Sequence, residues 1–270
     1  VLHLKSNTTY GDTTFTDSSS SAHTITNVDG VYHHIDDNRT ANTALYFDGV
    51  IPSLELPWVS GLGITNNFTL ECWVKNTGSA GEGCLISWGQ DGNNNFLWSL
   101  KTNGTHLWAF LYVGDAVQYD ITSPSGSVPK NVWNHCALVV DGVNDKLRMF
   151  VNGVCVIEGS DAEISNDHMS FMSAGEMIGI GHREQAANDS YPFTGYMDGI
   201  RITAGMPRYT SGIPVDGQTP HKQYDDGRSS NVSSNTWATS STRRYYGINT
   251  HTYLQTSEYA TNANTVLMVR

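Results

Sequence analysis

Apolar residues recur at every second position in short runs along this chain, and clusters of Gly, Asn and Asp separate the runs. This two-residue period is typical of β-strands, and the 3.6-residue period of helices is nearly absent. The predicted strands are Val1–Lys5, Thr43–Phe47, Phe68–Lys75, Gly83–Trp88, Asn95–Lys101, His106–Val113, Trp133–Asp141, Lys146–Val151, Val154–Glu158, Met177–Gly181 and Phe193–Thr203. Eleven short strands predict an all-β fold of two packed sheets.

Two local patterns sharpen this prediction. The dipeptide Asn152-Gly153 predicts a tight hairpin, because both residue types tolerate the positive φ that two-residue hairpin turns require. In the strand Phe68–Lys75, Glu71 and Trp73 share one face. The opposite face is expected to point into the core and carries Leu70, Cys72 and Val74.

The charge balance narrows the choice of partners. The chain has 15 Lys and Arg against 26 Asp and Glu, a net charge of −11. Such a surface repels phosphate backbones and anionic lipid, so we expect no nucleic-acid partner. The longest apolar run, Leu107–Val113, is far too short to span a bilayer, so no membrane span is expected.

The composition changes after about residue 216. Residues 225–242 form a polar stretch rich in Ser, Asn and Thr, and a short apolar run, Val266–Val269, follows near the end. We therefore predict a sandwich domain over residues 1–216. Residues 217–270 form a polar extension with one or two strands, which could serve as an assembly or anchoring arm.

All four cysteines lie in predicted strands: Cys72, Cys84, Cys136 and Cys155. Free, buried thiols that act as small apolar side chains are the expected state, and a disulfide is the alternative.

Several segments, taken in order, resemble the laminin-G-like branch of the concanavalin A-like domains. They are Val1–Leu4, Thr13–Thr26, Ala44–Gly49, Phe68–Val74, Trp133–Val139, Phe150–Gly153, Gly179–Gly181, Phe193–Thr203 and Pro207–Thr210. The resemblance covers about residues 1–216 and implies a two-sheet antiparallel jelly roll with one concave face. The closing Arg-Tyr-Thr is similar to copies of the domain in bacteriophage tail and virion proteins.

The resemblance raises the question of catalysis, because glucanases share this fold. Those enzymes place two or three carboxylates on one strand, in the pattern Glu-x-Asp-x-x-Glu, so that one acts as nucleophile and another as acid. The candidate strand here offers only Glu71, next to Trp73. We therefore expect a protein that is not an enzyme.

The resemblance also implies a calcium site, because relatives tie an early loop to the closing strand with a structural ion. The candidate ligands are Asp17 and Asp198. In the alternative, Asp17 caps an Asx-turn, and Asp198 is a hydrogen-bonded partner of the same loop. His23, at the family's His position, is expected to make a structural hydrogen bond.

The pair His33-His34, followed by Asp36 and Asp37, has a metal-like composition. Adjacent side chains on a strand point apart, so a solvated loop is the preferred interpretation.

Sugar recognition in such folds relies on aromatic rings and on hydrogen bonds from Asn, Asp and Gly-rich loops. Three aromatic residues, Trp108, Phe110 and Tyr112, share one face of a predicted strand. Neighbouring loops or strand ends supply Asp91, Asn93, Asn94 and Asp115. In the alternative, the aromatic rings fill the second face of a buried strand.

The sequence thus predicts a non-catalytic module that binds a surface glycan or protein receptor, at a virion or other extracellular surface, for example on a tail fibre. The alternative is a structural or assembly protein of a capsid, tail or filament, in which residues 217–270 contact neighbouring subunits or a second copy. A bacterial cell-surface adhesin is a third, weaker hypothesis.

Overall fold

A computed structural model describes residues 1–35, 43–50, 53–57, 67–79, 81–89, 96–113, 116–160, 177–182 and 191–209. Within these ranges the chain forms strands, turns and loops, and no helix. The strands are β1 (Leu2–Leu4), β2 (Thr26–Asp29), β3 (Tyr32–His34), β4 (Ala44–Asp48), β5 (Ser53–Pro57), β6 (Asn67–Asn76), β7 (Glu82–Gly89), β8 (Phe96–Asn103), β9 (His106–Val113), β10 (Ala116–Thr122), β11 (Asn134–Asp141), β12 (Lys146–Val151), β13 (Val154–Ser160), β14 (Met177–Ile180) and β15 (Thr194–Ala204).

The strands form two sheets. Sheet A has the order β13-β12-β11-β6-β15-β4-β3, and β1 also pairs with β15. Sheet B has the order β10-β9-β8-β7-β14-β5-β2. All the pairings are antiparallel. The predicted all-β, two-sheet antiparallel jelly roll is confirmed.

The eleven predicted strands are all present, and their ends differ from the predicted ones by at most two residues. The structure adds four strands that the alternation did not reveal, namely β2, β3, β5 and β10. β2, β3 and β5 have three to five residues, too few for a repeating pattern to stand out.

The hairpin at Asn152-Gly153 is confirmed. Its turn joins β12 to β13, and Val151 pairs with Val154. Asn152 has φ 52° and Gly153 has φ 81°. Both turn residues therefore adopt the positive φ that matches the twist of a two-residue hairpin.

The solvated loop predicted at His33-His34 is wrong, because both residues belong to β3. His33 is only 2% exposed, and its ring stacks on Phe15 with the centroids 4.9 Å apart. Its Nδ1 lies 2.6 Å from Ser6 Oγ and its Nε2 lies 3.0 Å from the Thr14 carbonyl oxygen. These two contacts satisfy a buried imidazole, which is how a polar residue enters so short a strand. Asp36 and Asp37 lie outside the described residues.

One hydrophobic core fills the space between the sheets. The predicted core face of β6 is confirmed, since Leu70, Cys72 and Val74 are all fully buried there. Phe68 of sheet A packs against Trp98 and Trp88 of sheet B, with ring centroids 5.3 and 6.4 Å away. Aromatic rings in edge-to-face contact across the core join the two sheets.

The cysteines are free thiols, as expected. Cys72 and Cys136 face each other across β6 and β11 inside the core, and burial raises the pKa of both thiols. Cys84 is buried as well, whereas Cys155 is half-buried. Burial keeps these side chains in the inert thiol form, so they behave as small apolar residues.

β15 occupies the middle of sheet A and changes partner along its length. Residues 194–197 pair with β4, and residues 200–202 pair with β1. The register shifts between Asp198 and Arg201, and Gly199 there has φ 55°. This bulge allows β1 to enter the sheet next to the closing strand.

The chain continues from β15 across the outer face of sheet A. The Arg208 amide donates to Thr69 Oγ1, and Thr69 Oγ1 donates to the Met206 carbonyl oxygen. Tyr209 is 1% exposed and packs on Phe150. The predicted boundary near residue 216 and the extension 217–270 lie outside the described residues and stay predictions.

Candidate functional site

The predicted aromatic strand, β9, lies between β8 and β10 in sheet B. Its alternation places Trp108 and Phe110 on the outer face of the sheet. The inner face carries Leu107, Ala109 and Leu111. Phe110 is 6% exposed, so it largely fits the alternative of a strand buried on both faces. Trp108 is half-buried, and its Nε1 donates to Asp120 Oδ1 over 2.6 Å.

A lysine lies among these rings. Lys101 is directly opposite Trp108 in the β8–β9 register and is 1% exposed. Its Nζ lies 4.5 Å from the ring of Trp108, 4.6 Å from that of Phe110 and 3.7 Å from that of Tyr191. Glu82 Oε2 is 3.7 Å from the same nitrogen. Ring faces and one carboxylate thus replace water around a buried ammonium group.

We call Lys101, Trp108, Phe110 and Tyr191 the Lys101 cage. Sequence reasoning identified two of its rings and missed the lysine and Tyr191. The alternation in β8 places Lys101 on the face opposite Leu100, so the strand pattern carried a signal for the lysine. Tyr191 lies in the segment before β15, where no local pattern marks it.

A pocket of about 530 Å³ lies beside the cage, within the size range of small-molecule sites. Its lining residues come from the turn after β4, the β6–β7 connection and the segment before β15. They are Asp48, Gly49, Asn76, Thr77, Gly78, Ser79, Gly81, Glu82, Gly83, Pro192, Phe193 and Thr194. Glu82 belongs to both places, because it lines the pocket and pairs with Lys101.

Hydrogen bonds order the pocket wall. Asn76 Oδ1 accepts from the Gly78 amide, and Asn76 Nδ2 donates to Thr102 Oγ1. Lys130 Nζ donates to the Gly78 carbonyl oxygen over 2.8 Å. A Cβ at Gly83 would lie 3.2 Å from the Phe193 Cα, so the two segments pack closely. The pocket therefore presents amide, hydroxyl and carboxylate groups on an ordered wall.

Of the other predicted ligand-binding residues, Tyr112 lies on β9, in register with Leu97 of β8 and Val117 of β10. Its side chain is outside the description. The loop residues Asp91, Asn93, Asn94 and Asp115 lie outside the described residues. The structure thus brings Trp108 and Phe110 together, and the assignment of the remaining residues stays a prediction.

Glu71, the lone candidate for catalysis, is fully buried on the outer face of sheet A. Its Oε1 lies 2.5 Å from Nε and from Nη2 of Arg201. Tyr209 donates its hydroxyl proton to Glu71 Oε2 over 2.5 Å, and His135 Nε2 is 3.1 Å from the same oxygen. Arg208 Nε is 3.5 Å from Oε1.

This ring of donors gives Glu71 a structural role. Burial, followed by the nearby Glu71 charge, raises the pKa of Tyr209 well above its ordinary value, so its hydroxyl stays a donor. A carboxylate surrounded by two arginines, a tyrosine and a histidine beneath a covering segment has no open face toward a substrate. The arrangement holds residues 206–209 on the sheet.

A comparison with protein-family models finds one match over residues 51–205, more than half of the chain, and this family is described as the concanavalin A-like lectin/glucanases superfamily (Laminin_G_3). The chain belongs to this superfamily. No protein with a curated description matches the sequence.

Solved structures of the same fold include sugar-binding proteins. Domain 4 of AbnA, a GH43 extracellular arabinanase from Geobacillus stearothermophilus solved with arabinotriose, is 22% identical at a TM-score of 0.50, over 70% of this chain and 86% of that one. Botulinum neurotoxin type C, whose cell entry depends on two ganglioside molecules, is 16% identical at a TM-score of 0.55, over 76% and 47%. The serotype D binding domain is 13% identical at 0.55, over 84% and 51%. This superfamily member spans about half of each toxin structure.

Two carboxylates were candidate calcium ligands in this superfamily member. Asp17 Oδ1 accepts from the amides of His3 and Ser19, and its Oδ2 accepts from the His23 amide and the Ser19 hydroxyl. Asp198 Oδ1 accepts from the amides of Ser6 and Gly199.

The bonds of Asp17 match the Asx-turn alternative, because the bond from Ser19 to Asp17 closes a turn two residues on. Asp198, in contrast, accepts from the amides of Ser6 and Gly199, which lie outside the Asp17 loop. Both oxygens of Asp17 accept hydrogen bonds, which suits a carboxylate that orders its loop better than one that binds a cation. In the described part of the chain no three His, Cys, Asp or Glu side chains are grouped to hold a metal ion. Calcium binding at Asp17 and Asp198 stays a prediction. The described ranges also contain no helix able to cross a membrane.

We expect the protein to lose stability in mild acid, because two histidines of this region, His3 and His33, have lowered pKa values. Burial, and then the positive charges of Lys5 and Arg201, lower the pKa of His3 from its ordinary value to about 4. Burial also lowers the pKa of His33. Between pH 6.5 and about 4 the unfolded chain therefore binds more protons than the native one. We expect the free energy of unfolding to fall by roughly 1 to 3 kcal/mol for His3 between pH 7 and pH 4.

Urea unfolding at pH 7 and at pH 4 measures this loss, and the His3→Gln variant is expected to lose less than the wild type. Asp17 contributes to stability over a different pH range. Burial alone would raise its pKa, but amide donors outweigh burial and lower the pKa below 3.8. Its contribution is therefore present above that range and is lost only in stronger acid. An equal loss in wild type and His3→Gln would contradict the prediction.

Proposed function

We propose that this chain is a glycan-binding module without catalytic activity. The observation that carries the proposal is the juxtaposition of the half-buried Trp108 and Tyr191 rings with a pocket of about 530 Å³ that has polar and apolar lining, joined by Glu82. Aromatic rings stack on the apolar faces of sugars, and carboxylate, amide and hydroxyl groups bind the sugar hydroxyls. A compact pocket of this size suits the terminal sugar of a glycan.

The comparisons support this choice. One structure of the same fold holds arabinotriose, and another belongs to a toxin whose cell entry depends on gangliosides. The absence of catalysis is supported by Glu71, whose two oxygens are bound by Arg201 and Tyr209. Retaining glycosidases need a second carboxylate about 5 Å from the first, free to reach the substrate.

The resemblance to phage tail and virion copies leads us to propose display on a virion or another extracellular surface. The assembly alternative rests on residues 217–270, whose polar composition offers too little apolar surface for a separate core. A variant lacking these residues separates the two ideas, because glycan binding by the sandwich does not require the arm.

A glycan array printed with bacterial surface polysaccharides and animal glycans tests the proposal. We expect the wild type and the variant without residues 217–270 to bind the same glycans. Trp108→Ala is expected to weaken binding about tenfold, since it removes the stacking ring. Asp48→Asn, which changes a lining residue of the pocket, is expected to weaken binding by a similar factor.

Val154→Ala provides the control, because Val154 is 61% exposed and lies on sheet A, away from the cage. Thermal unfolding of each variant verifies the fold. If the folded wild type binds no glycan on the array, the assignment of glycan binding to the Lys101 cage and its pocket is overturned. Unchanged binding by Trp108→Ala and Asp48→Asn would overturn the same assignment.

A further inference from the structure

The outer face of sheet A carries a row of tyrosines that no sequence pattern had marked as a site. Tyr32 of β3 is directly opposite Tyr46 of β4, and Tyr46 is directly opposite Tyr196 of β15. The next strand, β6, places Lys75 opposite Tyr196. Ring centroids are 5.3 Å apart in the first pair and 5.1 Å apart in the second. We call Tyr32, Tyr46 and Tyr196 the tyrosine row.

Two more rings widen the surface. His34 lies 5.5 Å from Tyr46 and 5.7 Å from Tyr196, centroid to centroid. Tyr10 packs 5.2 Å from His34 and is 59% exposed. The three rings of the tyrosine row and His34 are half-buried. The result is an aromatic surface across three strands on the outer face of the sheet.

The chemistry of this surface is that of a sugar-binding platform. Each tyrosine offers a flat apolar face and a hydroxyl group that both donates and accepts, and His34 adds an imidazole. Aromatic residues with a polar end suit ligands that are apolar on one side and hydrated on the other. Lys75 Nζ lies 5.9 Å from the Tyr196 centroid and adds donors at one end of the row.

The spacing indicates the form of the ligand. Successive rings of the row advance by one strand spacing, so a linear ligand that crosses the strands meets a new ring at each step. A chain of pyranose or furanose rings has this repeating form. The pocket beside the Lys101 cage, by contrast, is a single space of about 530 Å³ lined by three segments of the chain.

We propose that the tyrosine row is a second carbohydrate-binding surface, which takes an internal stretch of a polysaccharide across β3, β4 and β15. This inference rests on the proposed glycan-binding function and adds a second site on the opposite sheet. The Lys101 cage lies on sheet B and the tyrosine row on sheet A, each on the outer face. One module then engages chain ends with one face and chain interiors with the other, so that binding to a dense polysaccharide gains from two contacts.

Affinity electrophoresis in gels that contain arabinan, xylan, dextran or hyaluronan tests the inference, because retardation reports binding to chain interiors. We expect retardation of the wild type in at least one gel. The variant Tyr46→Ala/Tyr196→Ala is expected to bind that polysaccharide at least about tenfold more weakly. The matched variant Tyr46→Phe/Tyr196→Phe keeps the rings and is expected to stay within about threefold of the wild type.

Two further variants protect the test against misfolding and against confusion with the first site. Tyr10→Ala changes an exposed side chain, so it keeps the fold, and it is expected to weaken retardation about threefold. Trp108→Ala is expected to bind about tenfold more weakly on the array and to keep its retardation. The inference is overturned if the wild type is not retarded in any gel, or if the Tyr46→Ala/Tyr196→Ala and Tyr10→Ala variants match the wild type.

A proline-rich peptide is the competing ligand, because tyrosine-lined surfaces also bind polyproline II helices. Retention of the wild type on immobilised poly-L-proline, lost in Tyr10→Ala and without retardation by any polysaccharide, would overturn the inference in favour of a peptide site. If the wild type binds no glycan on the array but is retarded by a polysaccharide in a way that depends on the tyrosines, the Lys101-cage proposal is overturned and the tyrosine row is supported.

Discussion

Replacement of Glu71 by Gln is expected to lower the free energy of unfolding by roughly 3 to 5 kcal/mol. Glu71 is fully buried, and the guanidinium of Arg201 lies 2.5 Å from its Oε1. Gln keeps the shape but removes the charge, which leaves Arg201 and Arg208 buried without their counter-ion. An uncompensated buried charge costs far more than the pair contributes. Urea unfolding followed by tryptophan fluorescence measures the difference.

Glu158→Gln is the matched control. Glu158 also binds an arginine, with Oε2 2.7 Å from Arg148 Nε, but its side chain is 44% exposed. Solvent screens such a pair, so we expect a loss of less than about 1 kcal/mol. Tyr209→Phe removes one hydrogen bond to Glu71 and is expected to fall between the two, at about 1 to 2 kcal/mol. A loss at Glu71 no larger than that at Glu158 would contradict the buried-pair account.

Replacement of Gly195 by Ala is expected to destabilise the sandwich by roughly 2 to 5 kcal/mol. Gly195 has φ 142°, a region that L-residues rarely adopt. A Cβ at this position would collide with the Lys75 carbonyl oxygen and would lie 3.0 Å from the Thr77 amide nitrogen. Both contacts are with backbone of the neighbouring segment, so no side chain can rotate to relieve them. Thermal and urea unfolding measure the loss.

Gly81→Ala provides the comparison within the same pocket region. A Cβ at Gly81 meets nothing within 4 Å, and its φ is not in the positive range. The substitution reduces the freedom of the unfolded chain, so we expect a stability change between zero and a gain of about 1 kcal/mol. If both glycines tolerate Ala equally, the close approach of β15 to the β6–β7 connection is not maintained in solution.

The fold was largely predictable because its determinants are local. Alternation in β6, β11 and β15 defines the core face, and the positive φ of Asn152 and Gly153 closes the hairpin. Of the strands that escaped prediction, β10 forms a hairpin with β9, whereas β2, β3 and β5 depend on contacts more distant in sequence. β3 is the clearest case, because the Ser6 hydroxyl and the Thr14 carbonyl satisfy its buried His33.

The candidate sites were less predictable, because they depend on which strands become neighbours. Trp108 and Phe110 could be recognised from one strand, but Lys101 joins them only through the β8–β9 register. The tyrosine row needs two registers at once, since Tyr32, Tyr46 and Tyr196 come from three strands. The periodicity of a single segment does not show that tyrosines of three different strands become neighbours.

The position of β15 has a consequence for how the chain acquires its structure during synthesis. This last described strand pairs with β6, β4 and β1, and some of its contacts, such as that between Arg201 and Glu71, bridge 130 positions. Sheet A cannot close until the ribosome has released residue 204. Until then, the edges of β4 and β6 that pair with β15 lack their partner strand. Contacts of such long range slow folding and prolong the exposure of unpaired strand edges, which are prone to aggregation. We therefore expect the nascent chain to bind chaperones, or to associate wrongly, most readily just before β15 is synthesised.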